Sequence, residues 1–247
     1  MVAQNAGVAP EAHPLLGFVP VQPGPGHGVR GEKEFIAAPR LDDLECVFAA
    51  AKAFLAGENR ENVTVLALFD NEEIGSLTRQ GADSTFLGDV LERVALSCGK
   101  DREGLYRAIA GGFMLSADNA HAVHPDSPEK SDPTNRCYLN EGVVVKHSPR
   151  YASDALTAGV FQAICQKAGV PVQVYYNNSR IPGGGTLGNL SGSHVALPTV
   201  DIGLPQLSMH SPYETAGAQD LEYMVQAMEA FYKTVLTVTG QDAYEIS

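Results

Sequence analysis

The sequence predicts an α/β fold: a central, largely parallel sheet flanked by helices. Two patterns carry this expectation. Short, near-continuous apolar runs recur along the chain, as strands buried on both faces show. Between them lie stretches with apolar residues at three- and four-residue spacing, as amphipathic helices show. Size is the third observation, because 247 residues with 44% hydrophobic content can bury a sizeable core.

The elements follow in order. Residues 1–33 hold Pro20, Pro23, Gly24, Pro25, Gly26, Gly28 and Gly31 with little periodicity, so they read as an irregular segment. Ordered structure is expected from near Glu34, with one domain over 34–247. A helix is expected over Leu44 to Ala56, with Asp42 and Asp43 as acids at its N-terminus. Val63 to Phe69 is an apolar run expected to be a strand buried on both faces. A helix starts at Ser84 or Thr85 and runs to about Cys98. Strands are expected over 113–116, 142–146, 172–176 and 199–203, and helices over 153–168 and 220–236.

Composition excludes several classes of function. A formal net charge of -12 disfavours nucleic acid as a partner, since phosphate binding wants clustered Lys and Arg. Cys46, Cys98, Cys137 and Cys165 lie far apart and form no CxxC pair, which argues against a zinc ribbon or a disulfide scaffold. No run approaches the ~20 apolar residues of a membrane span, and the first residues lack a signal-peptide pattern. A cytoplasmic location is the expectation.

In sheets of this kind, ligands bind just beyond the carboxyl ends of strands. Asp70-Asn71-Glu72-Glu73 follows the run ending at Phe69. Two adjacent glutamates are costly to hold together in a poorly solvated place, and a divalent cation removes that cost. By itself the pair reads more readily as a solvated acidic loop. Asp42 by itself reads as a helix cap. Asp118, His121 and His124 by themselves read as a polar turn, and His210 as a satisfied structural histidine. Together, however, carboxylates and imidazoles are the ligand set that zinc favours.

Six segments occur in one order: FIAAPRLDD, LFDNEEIGS, MLSADNAHAVHP, VVKHSPRYASDA, PGGGTLGN and PQLSMHS. Together they resemble the aspartyl aminopeptidase family of two-zinc metallopeptidases, from about residue 34 to about 236. The resemblance makes 34–247 a partial metallopeptidase catalytic domain. It implies that Asp42 bridges both metals, that Glu73 and His210 complete one site, and that Asp118 serves the other. It implies Glu72 as the general base that activates water. His121 and Lys146 resemble positions that line a pocket for an acidic side chain, so the implied substrate is a peptide with N-terminal Asp or Glu.

The chain departs from the family in two places. The family carries a further metal-binding His upstream, in an H-x-D segment ahead of an inserted oligomerisation domain. Only His13 and His27 precede Asp42, and neither sits in H-x-D. His124-Pro125-Asp126 has that spelling but belongs to the HAVHP segment. The metal shared by Asp42 and Asp118 is therefore expected to lack a protein ligand and to bind weakly. Arg180 stands where the family tends to carry an acid. The family forms closed homo-oligomers; without the upstream segment the same assembly is not expected. Two alternatives stay open: an impaired remnant that serves as a binding or assembly module, and a two-metal amidohydrolase acting on non-peptide amides.

Overall fold

Strands and helices alternate as the apolar pattern suggested, over more elements than it suggested. The computed structural model describes residues 27–29, 33–59, 61–240 and 242–247. In chain order the elements are β1 (His27–Val29), β2 (Phe35–Ala38), α1 (Leu41–Ala56), a 3-10 turn (Glu72–Ile74), α2 (Phe86–Ser97), α3 (Arg102–Ala110), β3 (Met114–Ala117), β4 (Ala120–His121), a second 3-10 turn (Pro128–Lys130), β5 (Val143–His147), α4 (Ala155–Ala168), β6 (Val172–Tyr176), α5 (Leu187–His194), β7 (Thr199–Gly203), β8 (Pro205–Leu207), β9 (Glu214–Gly217), α6 (Ala218–Lys233), β10 (Leu236–Gly240) and β11 (Ala243–Ile246). β1 lies upstream of Glu34, where regular structure was expected to begin. The rest of the segment 1–33 lies outside the described residues, apart from Lys33.

The central sheet has the order β3-β7-β5-β6. β3 pairs with β7 and β5 with β6 in parallel, while β5 and β7 meet antiparallel. This sheet is the largely parallel one. Its interior strands are covered on both faces, so each residue of β7 is buried, Asp201 included. Val143 and Val145 join Val200, Ile202 and the helices α1, α4 and α6 in one core, through Ala49, Phe161 and Met224 among others. The pleat turns Val144 to the opposite face, where it packs with Ala120, Cys137 and Tyr175. Lys146 is two residues further along on that same face.

A second sheet, β1-β2-β9-β8-β4, was not expected. It is antiparallel except where β4 meets β8. Its strands are two to four residues long, too short to leave a period-two signature. Among the described residues, no helix is long and apolar enough to cross a membrane.

One expectation fails. Val63 to Phe69 forms no strand. Val63 is 86% exposed, Val65 46% and Leu68 50%. Among the described residues, none of its backbone groups makes a backbone–backbone hydrogen bond; Val65 O accepts only the Tyr232 hydroxyl, at 3.4 Å. An apolar run raises the preference for a strand, but a strand exists only beside a hydrogen-bonding neighbour. The amides of 64–69 are therefore expected to exchange with solvent at least roughly 10³-fold faster than those of β5. Hydrogen-exchange mass spectrometry checks this; equal protection in both segments would mean that the run has a strand partner.

Candidate metal centre

The second sheet gathers the polar residues. β2, β8 and β4 run in one direction and β9 runs against them, so the carboxyl ends of three strands meet the start of the fourth. Asp42 follows β2. His210 sits in the loop between β8 and β9. Asp118 links β3 to β4, and His121 ends β4. Glu72 and Glu73 open the 3-10 turn that follows the unpaired run.

The loops that carry these groups leave ordinary backbone space. Arg40, Asn71 and His210 have φ of 62°, 62° and 65°. A non-glycine residue there costs about 1 kcal/mol or more, and such residues cluster where function holds them. Asp42 and Asp43 are themselves non-helical at the start of α1. Ser76 N donates to Asn71 O at 2.9 Å and Asp70 N to Gln80 O at 3.0 Å, which ties the acidic turn to the loop behind it.

Three of the expected ligands converge. His210 Nε2 lies 3.1 Å from Asp42 Oδ2 and 3.0 Å from Glu73 Oε2. The Asp42 side chain is 5% exposed, and its Oδ1 is buried without a partner. Burial first, then the charges of Asp118 and Glu73, push the Asp42 carboxyl up to about 9. Glu72 is half-buried; burial, with Asp118 and Glu73, pushes it up to about 7. Such a cluster lacks positive charge. Two carboxylates and one imidazole, with donor atoms within 4.8 Å of one another, fit one zinc ion with a position left open.

The neighbouring position fits less well. Asp42, Asp43 and Asp118 also bring oxygens within 4.8 Å, but no imidazole joins them. Asp43 Oδ1 is likewise buried without a partner. Lys146 Nζ donates to Asp118 Oδ2 at 3.1 Å, to Asp118 O at 2.8 Å and to Asn119 O at 3.1 Å. Its side chain is 2% exposed and lies over the Tyr151 ring at 5.2 Å. Burial works against this ammonium, yet Asp118, Tyr151 and Asp201 hold its proton more tightly than usual. Lys146 thus sits beside Asp118, where its ammonium offsets part of the acidic charge.

Sequence reasoning missed three residues here. Asp43, expected only as a helix acid, brings its carboxylate to those of Asp42 and Asp118. Asn119 Nδ2 donates to Leu41 O, Glu45 Oε1 and Gln206 Oε1 at 3.1, 2.8 and 2.8 Å, joining α1 to β8. Glu214 accepts backbone N–H groups beside the site, a role with no sequence signature. Lys146, expected in a substrate pocket, is enclosed; His121 closes the same sheet end. Arg180 is exposed in the turn before α5, where its backbone N–H donates to Asn178 Oδ1 at 3.0 Å.

A family model described as aminopeptidase I zinc metalloprotease (M18) matches residues 1–232. A probable M18 family aminopeptidase 2 of Clostridium acetobutylicum is 49% identical over 201 residues, which cover 81% of this chain and 46% of the relative. A protein of the same name from Mycobacterium bovis is 39% identical over 250 residues, covering 96% of this chain and 57% of the relative. Among solved structures, the mApe1 dodecamer of S. cerevisiae matches with a TM-score of 0.75 and 32% identity, over 86% of this chain and 49% of that one. The chain spans about half the length of the curated relatives it matches. On the family model, the identities and the convergence of fold, the chain belongs to the M18 family of aminopeptidase I zinc metalloproteases.

Proposed function

We propose that this chain carries the catalytic site of an aminopeptidase that removes Asp or Glu from peptide N-termini. The observation that supports this best is the meeting of Asp42, Glu73 and His210 beside a half-buried Glu72 whose carboxyl is raised to about 7. Asp42, Glu73 and His210 would hold zinc. When bound, zinc makes water more acidic and polarises the scissile carbonyl. The Glu72 carboxylate takes a proton from the attacking water and returns it to the leaving amine. A carboxyl near neutrality suits both transfers. Glu72 stands outside the set of three ligands, so it stays free to carry the proton. Lys146 holds the Asp118 carboxylate in place through its hydrogen bond, and His121, exposed at the same end of the sheet, is the group open to an acidic side chain.

A second reading has its own support. The position at Asp42, Asp43 and Asp118 lacks an imidazole, and Lys146 contacts Asp118 there. A folded module without turnover would tolerate both features. The two readings part on one experiment: zinc per chain, together with hydrolysis of aspartyl, glutamyl and leucyl anilides by the zinc-loaded protein. The enzyme reading expects one tightly held zinc, a second held weakly, and acidic anilides cleaved at least about tenfold faster than leucyl. Folded, zinc-loaded protein that cleaves none of the three would leave the module reading.

A further inference from the structure

Glu214 opens β9 and is 2% exposed. Its Oε2 accepts the backbone N–H of Asp42 at 3.0 Å, and its Oε1 accepts the backbone N–H of His210 at 2.7 Å. We propose that Glu214 is a positioning residue of the metal centre: one buried carboxylate that clamps the backbones of two ligands and sets their separation. This rests on reading Asp42 and His210 as zinc ligands.

The chemistry of the clamp is specific. A buried carboxylate is expensive unless donors satisfy it. Both donors here belong to ligand residues, and the two are 168 positions apart in sequence (210 minus 42). Both N–H groups sit on backbone that does not hold its own shape. His210 has φ 65°, and Asp42 interrupts the first turn of α1 with φ -81° and ψ 110°. β9 lies between β2 and β8, so the carboxylate is mounted on the strand between the two that lead into the ligand loops. A rigid mount with two charge-assisted bonds is what holds ligands at a fixed spacing.

The test uses the whole chain, with zinc affinity measured by competition with a chromophoric chelator. Glu214→Gln keeps the shape but turns an amide NH2 toward one of the two N–H groups, so one bond is lost. Its zinc dissociation constant is expected to rise roughly 10–100-fold. The visible bands of the cobalt-loaded protein should shift, because ligand geometry changes. Glu214→Asp keeps the charge but retracts it by one methylene, so it should fall between wild type and Glu214→Gln, and it decides the matter should Glu214→Gln not fold. Variants that melt lower in the metal-free form, yet bind zinc within twofold of wild type with unshifted cobalt bands, would overturn the clamp and leave a purely structural carboxylate. Wild-type protein that binds no zinc would overturn the metal reading, and this inference with it.

Discussion

Replacing Glu72 by Gln is expected to lower kcat for an aspartyl anilide roughly 10²–10⁴-fold, the usual contribution of a positioned general base. Zinc content and KM should change little. The reasoning starts from what separates Glu72 from Glu73. Both stand on the same 3-10 turn, but Glu73 Oε2 meets His210 Nε2, whereas Glu72 is outside that set of three donor atoms. Burial and the neighbouring acids raise Glu72 to about 7, and His210 and Lys146 pull it partly back. A base must be unprotonated to act, so activity should rise with pH on the acid side of the profile. Zinc adds positive charge and moves that midpoint below 7. Gln matches the size of Glu and cannot accept the proton, so the acid limb attributed to Glu72 should vanish along with most of the rate. Retention of more than a tenth of the activity would remove Glu72 from the mechanism.

The strands over 172–176 and 199–203 were readable residue for residue, because both are short runs rich in β-branched and aromatic residues bounded by Gly, Pro or Asn. α3 was not: Leu105 and Ile109 stand four residues apart on one face, but in a helix of 9 residues with none fully buried that stripe is too short to stand out. β8 and β9 were invisible for another reason, since strands of three and four residues are set by their neighbours rather than by their own pattern. Val63 to Phe69 shows the converse, an apolar run with strand character and no partner strand among the described residues. At the site, Asp42, Glu73 and His210, the proposed ligands, were nameable through the resemblance, because zinc ligation would restrict residue type. Glu214 and Asn119 act on backbone groups and amides that any sequence possesses, so only their position reveals them. The segment of Lys146 points to a pocket, but the alternation along β5 turns it to the face it shares with Val144, opposite the main core, and only the fold brings Asp118 to it.

Metal-free protein is expected to lose stability between pH 7 and pH 9, and zinc is expected to restore it, more at pH 9 than at pH 7. Asp42 is held at about 9, Glu45 at about 8 and Glu72 at about 7, each by burial first, against ordinary values of 3.8 for Asp and 4.5 for Glu. Asp43 is raised as well, by burial and then by Asp118. A carboxyl raised on folding binds its proton more tightly in the folded state. Its stabilisation is complete below the unfolded value and is lost as pH rises through the folded one. The losses therefore fall between about 4 and 9, and the upper part of that window lies above the range of ordinary histidines. Each proton that the folded state keeps and the unfolded state has released costs about 1.4 kcal/mol per pH unit. One such proton over two pH units lowers the melting temperature of a chain this size by roughly 5–10 °C. Zinc competes with those same protons, so it binds better as they leave, and its stabilisation grows with affinity. Thermal melts at both pH values, with chelator and with zinc, read the two effects separately. A metal-free melting temperature that stays level from pH 7 to pH 9 would show that these carboxylates are already ionised without zinc. Zinc would then meet no competing protons, and the stabilisation it brings would be equal at the two pH values.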